Sequence, residues 1–113
     1  MEVIMARPGE MPHKASFDTS ELADLQHYVG GYIETAPIDE SGLIAIVNEE
    51  GKLQELKPTA YCKYLNDILC GPVLICRADW DGNFAPIRDG DLERTLKALR
   101  PVPSQMRLGG VQG

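Results

Sequence analysis

No run of apolar residues in this sequence approaches the roughly 20 that a membrane-spanning helix needs. The N-terminus, Met1-Glu2-Val3-Ile4-Met5, also lacks the basic flank and apolar stretch of a secretory signal. A cytoplasmic location without a membrane partner is the expectation. Cysteine is scarce and unpaired: Cys62, Cys70 and Cys76 are odd in number and eight and six positions apart, unlike a secreted disulfide framework. They read as buried reduced thiols, since free cysteine behaves as a small hydrophobe. No histidine stands between them, so the close Cys/His spacing of a zinc site is missing. His13 and His27 are the only histidines, and no serine or cysteine motif surrounds them to make a nucleophile and its base. His27 reads as a solvated helix residue.

Basic charge is also in deficit. The net charge is −6, and the imbalance is local: residues 1–56 carry 11 Asp/Glu against 3 Lys/Arg, whereas residues 57–113 carry 6 against 8. Nucleic acid is therefore not the expected ligand, because cations that neutralise phosphates dominate such binding. What is present fits an ordinary folded domain. Hydrophobic residues make up 43% and charged residues 25% of 113 residues, which is globular composition and the length of one domain.

Along the chain, Glu2 to Ala6 and a segment around His13 to Phe17, separated by Arg7-Pro8-Gly9, read as a β-hairpin. Asp18 with Glu21 three residues later predicts a capping box, and Leu22, Leu25 and Val29 give one apolar face. A helix over about Ser20 to Val29 follows, stopped by Gly30-Gly31. Tyr32 to Ala36 and Leu43 to Val47 are predicted strands of a second hairpin. Asn48-Glu49-Glu50-Gly51 reads as a turn with glycine at a positive φ, and the alternation from Lys52 to Leu56 predicts a third strand completing a meander. Residues 58–69 have helical spacing at Tyr61, Tyr64, Leu65 and Ile68, and read as an irregular or briefly helical crossover. Pro72 to Cys76 is the most strand-like run and leads through Asp81-Gly82 to Asn83-Phe84-Ala85 as another hairpin. Asp89-Gly90-Asp91 caps a last helix with Leu92, Leu96 and Leu99 on one face, ended by Pro101. The fold class is α+β: a small, mostly antiparallel sheet with two helices packed on one face. The domain occupies residues 1–100, and 101–113 are expected to be a flexible tail.

Several spaced motifs resemble the domain-of-unknown-function family numbered 3846, found in phages, plasmids and their bacterial hosts. They are Arg7-Pro8-Gly9, Leu25-Gln26, Val29-Gly30-Gly31-Tyr32-Ile33-Glu34, Asn48-Glu49-Glu50-Gly51-Lys52-Leu53, Asp67-Ile68, Gly71-Pro72-Val73 and Asp81-Gly82. The similarity covers roughly Val3 to Leu96. Similar sequences usually place an asparagine soon after Leu56-Lys57-Pro58, where this chain has Thr59, so a ligand held by that asparagine is not implied here. The resemblance implies a mobile-element accessory protein and supplies no catalytic residues.

Two patterns that imitate binding sites read more simply as structure. Asp79, Asp81 and Asn83 resemble the start of a calcium loop, but its glycine position is Phe84 and its twelfth is Gly90. Gly30-Gly31 follow a helix instead of preceding one, so the helix dipole presents its negative end there and disfavours a phosphate. No cofactor or metal is implied. The residues singled out for binding are Trp80, Tyr32, Asn48, Glu49 and Glu50. Trp80, the single tryptophan, falls in a turn where a large ring is unexpected, and the carboxylates Glu34, Asp39, Glu40, Glu49, Glu50 and Glu55 can form an acidic face. The leading functional reading is a non-enzymatic module that associates with a host protein, modulating a defence or replication component. A small-molecule binder would use Tyr32, Asn48 and the backbone near Gly71, and an acidic DNA-mimic inhibitor would use the acidic face. An enzyme ranks last, because no acid/base pair or nucleophile motif stands out.

Overall fold

The computed structural model describes residues 1–102. In chain order the elements are β1 (Glu2–Ala6), β2 (His13–Ser16), α1 (Leu22–Val29), β3 (Ile33–Pro37), β4 (Leu43–Asn48), β5 (Pro58–Cys62), β6 (Asp67–Cys70), β7 (Val73–Ala78), β8 (Phe84–Ala85), α2 (Asp91–Ala98) and β9 (Leu99–Pro101). The main sheet has the order β2-β1-β7-β4-β3, with β8 paired to β7, and a second sheet has the order β6-β5-β9. Every pairing is antiparallel. The α+β class and the mostly antiparallel sheet are as the sequence predicts.

The placement of the helices is not. Successive side chains on a strand point to opposite faces, and the central strands are apolar on both. Leu43, Ala45 and Val47 of β4 join Ile4, Val73 and Ile75 in one cluster, completed by Ala60, Cys62, Leu69 and Leu99 of the second sheet, with Leu92 and Ala98 of α2 packed against it. Ile46 of β4 joins Val3, Leu74 and Cys76 on the opposite face, where Leu25 and Val29 of α1 cover them. The two helices, expected on one face, are divided between the two. The result is three layers, with α1 on one side of the main sheet and the small sheet and α2 on the other.

Other expectations need correction. Residues 52–56 form no strand: Gln54 N–H donates to Glu50 C=O, and Leu56 N–H to Gly51 C=O, which coils the segment on itself. The expected meander is thus the single β3–β4 hairpin. Gly51 does not have a positive φ; Glu55 does, at 56°. Residues 58–69, expected as a crossover, form the β5–β6 hairpin, whose turn places Asn66 at φ 52°. The third partner of this hairpin is β9, nearly 40 residues downstream, so its strand character depends on pairing that local spacing does not show. The capping box does not form either. Glu21 is the N-cap of α1 without a side-chain bond, and Asp18 instead accepts from Ser20 N–H at 2.9 Å and Ser20 Oγ at 2.6 Å. At the other end Pro101 closes β9 instead of a helix, and the remainder of the expected tail, 103–113, lies outside the described residues. No helix among the described residues is long and apolar enough to cross a membrane.

Candidate functional site

The glycine pair and the acidic turn come together around Asn48, the last residue of β4. Asn48 is buried, and its Nδ2 donates to Val29 C=O and to Gln54 Oε1, both at 3.1 Å, while Oδ1 accepts from Glu50 N–H at 2.7 Å. One amide thus ties the end of α1 to the start of the 49–56 turn. Three of its four hydrogen-bonding positions are taken, so it supports the turn more than it faces a ligand. Gly30 ends α1 with φ 83°. Gly31 is required for space: a Cβ there would lie 2.9 Å from Asn48 Nδ2. Glu49 N–H donates to Tyr32 C=O at 2.8 Å, which sets the exposed Tyr32 ring beside the turn.

Glu49, Glu50 and Glu34 line a shallow cleft of about 120 Å³ floored by Val47 and Cys70. Its one cation, Lys52, is paired with Asp67 across the rim. That pairing, led by the hydrogen bond from Lys52, holds the Asp67 carboxyl below its ordinary range. Tyr32, Asn48, Glu49 and Glu50 are therefore neighbours, as the sequence suggests. Thr59, where similar sequences carry asparagine, is buried, and its hydroxyl donates to Gly71 C=O, fastening β5 to the turn before β7.

Trp80 lies elsewhere. The register of β4 against β7 puts Asn48 level with Pro72, and β7 runs on to Ala78 before Trp80 is reached, a separation of about 20 Å along the sheet. The β7–β8 turn is closed by hydrogen bonds: Asp79 Oδ1 accepts from Asp81 N–H and Asn83 N–H, both at 2.9 Å, and Gly82 sits at φ 83°. The carboxylate of Asp79 is thus consumed by the turn. Trp80 projects from it with a relative exposure of 105%. The turn joining β3 to β4 lies at this same end, because Leu43 pairs with Arg77. It adds Asp39 and Glu40 to the Asp79 and Asp81 that flank Trp80.

Two further constellations escape sequence reasoning. Arg77 and Asp91, both buried, form a bidentate pair at 2.8 and 2.7 Å. Arg77 also donates to Ser41 C=O at 2.6 Å, and Asp91 accepts from Arg88 N–H at 2.7 Å and Arg94 at 3.1 Å. Burial alone would raise the Asp91 carboxyl, but these donors outweigh it and hold it below its ordinary value. The pair is structural: it fastens α2 to β7 and to the 39–42 turn. The second constellation borders α1. The Arg7 guanidinium lies 5.4 Å from the Tyr28 ring centroid, Phe17 meets Tyr28 at 5.6 Å, and Tyr28 Oη donates to Val73 C=O at 3.1 Å. Burial pushes the Tyr28 phenol up to about 12. Among the described residues no three His, Cys, Asp or Glu converge as a metal site needs.

The Val29, Gly31 and Asn48 contacts fall on motifs that the family resemblance rests on, and the comparison with family models agrees. The model described as Domain of unknown function (DUF3846) matches residues 1–100. The chain belongs to the DUF3846 family. No curated protein and no solved structure matches it. In this DUF3846 chain the paired motifs Val29 to Glu34 and Asn48 to Leu53 have a physical explanation, since Gly31 and Asn48 are in contact and each constrains the other.

Proposed function

We propose that this chain is a phage or plasmid accessory protein, a non-enzymatic module that binds a protein of the host cell through the end of the sheet carrying Trp80. The observation that carries this reading is the tryptophan itself. Leaving an indole in water forgoes about 1.5–3 kcal/mol of burial, and isolated tryptophans are the side chains most enriched at the centres of protein interfaces. The turn that holds Trp80 is fixed by Asp79, so a partner meets the ring with little ordering cost. Asp79 and Asp81 flank it in sequence, and Asp39 and Glu40 lie at the same end of the sheet, which favours a basic surface whose Lys or Arg can stack on the indole. Glu49 and Glu50, about 20 Å away, belong to a different patch and are not required for this contact.

The test is capture from bacterial lysate with tagged protein and a Trp80→Ala variant. A stoichiometric partner that binds the parent protein and is weakened about 30-fold or more by Trp80→Ala supports the proposal, in line with loss of a hot-spot residue. A partner that tolerates Trp80→Ala but is lost with Glu49→Lys, Glu50→Lys would move the contact to the other end of the sheet.

A further inference from the structure

We infer that the cleft between α1 and the β1–β2 turn is a binding site for a small zwitterion of the α-amino-acid class with an apolar side group. The cleft holds about 430 Å³ and is lined by Met5, Arg7, Phe17, Asp24, His27 and Tyr28, with Asp18 at its rim. Its three chemical zones match the three parts of such a ligand.

The first zone is a cation. Arg7 makes no ion pair among the described residues, in a protein where carboxylates outnumber cations 17 to 11. Its guanidinium is held over the Tyr28 face, and that ring is itself pinned by the bond to Val73 and the packing of Phe17. The Arg7 backbone is fixed too, since its C=O accepts from Glu10 N–H at 2.9 Å. A guanidinium oriented on a pinned ring presents its fork to a carboxylate in a defined direction. The second zone is an anion. Asp24 stands on α1 four residues before Tyr28, so the two share one face about 5–6 Å apart. A carboxylate one helical turn from the ring that carries the guanidinium, both lining one cleft, is suited to a ligand that bears an ammonium and a carboxylate. The third zone is apolar, supplied by Met5 and Phe17, and accepts the side group. His27 completes the lining beside Tyr28. The sequence reading of His27 as merely solvated is compatible with this position at the mouth.

The experiment is isothermal titration calorimetry of the full chain with leucine and phenylalanine, each also as its N-acetyl and its amide derivative. Binding of the free amino acids, weakened about tenfold by blocking either charged end, supports the site. The variants supply the diagnostic cycle. Arg7→Ala lowers affinity for the free amino acid about tenfold yet costs the amide nothing further, and Asp24→Asn does the same for the N-acetyl form. Arg7→Lys keeps the charge without the fork and falls between. Both Arg7 and Asp24 are exposed, so the variants remain folded, and an unchanged melting temperature verifies it. Absence of heat with every ligand at tens of millimolar, or binding indifferent to Arg7→Ala, overturns the inference.

Discussion

Asp91 accepts four hydrogen bonds without touching solvent, two from Arg77 and one each from Arg88 N–H and Arg94. Removing its charge leaves Arg77 buried and uncompensated, so Asp91→Asn is expected to cost about 3–5 kcal/mol in urea unfolding. The pH dependence follows from the same bonds. The folded carboxyl titrates below its ordinary 3.8, so the stabilisation is complete above that value and is lost as the pH falls through the lower folded value. Stability of the parent should be flat from about pH 5 to about pH 8 and drop below about pH 4, and Asp91→Asn should flatten part of that acid drop. Asp67 and Asp18 are lowered as well and act in the same direction, but both are exposed and contribute less. Nothing in the sequence marks Arg77 and Asp91 as partners, because they are 14 residues apart on different elements. By contrast, the place of Trp80 in a turn was legible from the Asp81-Gly82 that follows it, whereas its full exposure is a finding of the structure.

At the scale of elements, period and punctuation located most strands. The strands of β1, β3, β4 and β7 lie within a residue or two of where apolar runs and turn residues predict them. Elements whose character comes from a distant partner were not legible, β5 and β9 above all, and with β5 its hairpin mate β6. The last helix shows the same limit: Leu92, Leu96 and Leu99 share a spacing, yet Leu96 is 41% exposed, Leu99 belongs to β9, and the buried residues of α2 are Asp91 and Thr95. The buried ion pair, not an apolar stripe, orients this helix. Leu25→Ala in α1 should therefore destabilise by about 2–5 kcal/mol, whereas Leu96→Ala should stay within about 1 kcal/mol. Equal losses in a denaturant titration would contradict this division of the two helices.

Across the whole molecule the two apolar clusters share the main sheet as a wall, so neither can open without exposing the other face of the same strands. The three thiols report on this. Cys62, Cys70 and Cys76 are free and buried, and burial pushes Cys76 up to about 12 and raises Cys70. At pH 8 all three should be silent toward an aromatic disulfide reagent in the folded protein and react together on unfolding. A thiol that reacts ahead of global unfolding would reveal a separately opening layer, with Cys70 beside the 49–56 turn the place to look. The acidic face predicted from sequence is real in composition but divided in space between two ends of the sheet. Charge counting along the chain cannot show that division, because it depends on strand direction.

Strand order also imposes a schedule on synthesis. β1 is made well before the strand that covers its inner edge, since β7 begins 67 residues after β1 ends. At about 5–20 residues per second, β1 and its hairpin partner wait about 3–13 s with an apolar edge unpaired. Met1 to Ala6 in that interval is a short, uncharged-but-for-Glu2 segment of the kind that templates association with other chains. The nascent protein is thus most vulnerable not in its finished form but in a window that closes only when Val73 to Ala78 leaves the ribosome, and slower elongation lengthens the window in which a chaperone must hold it.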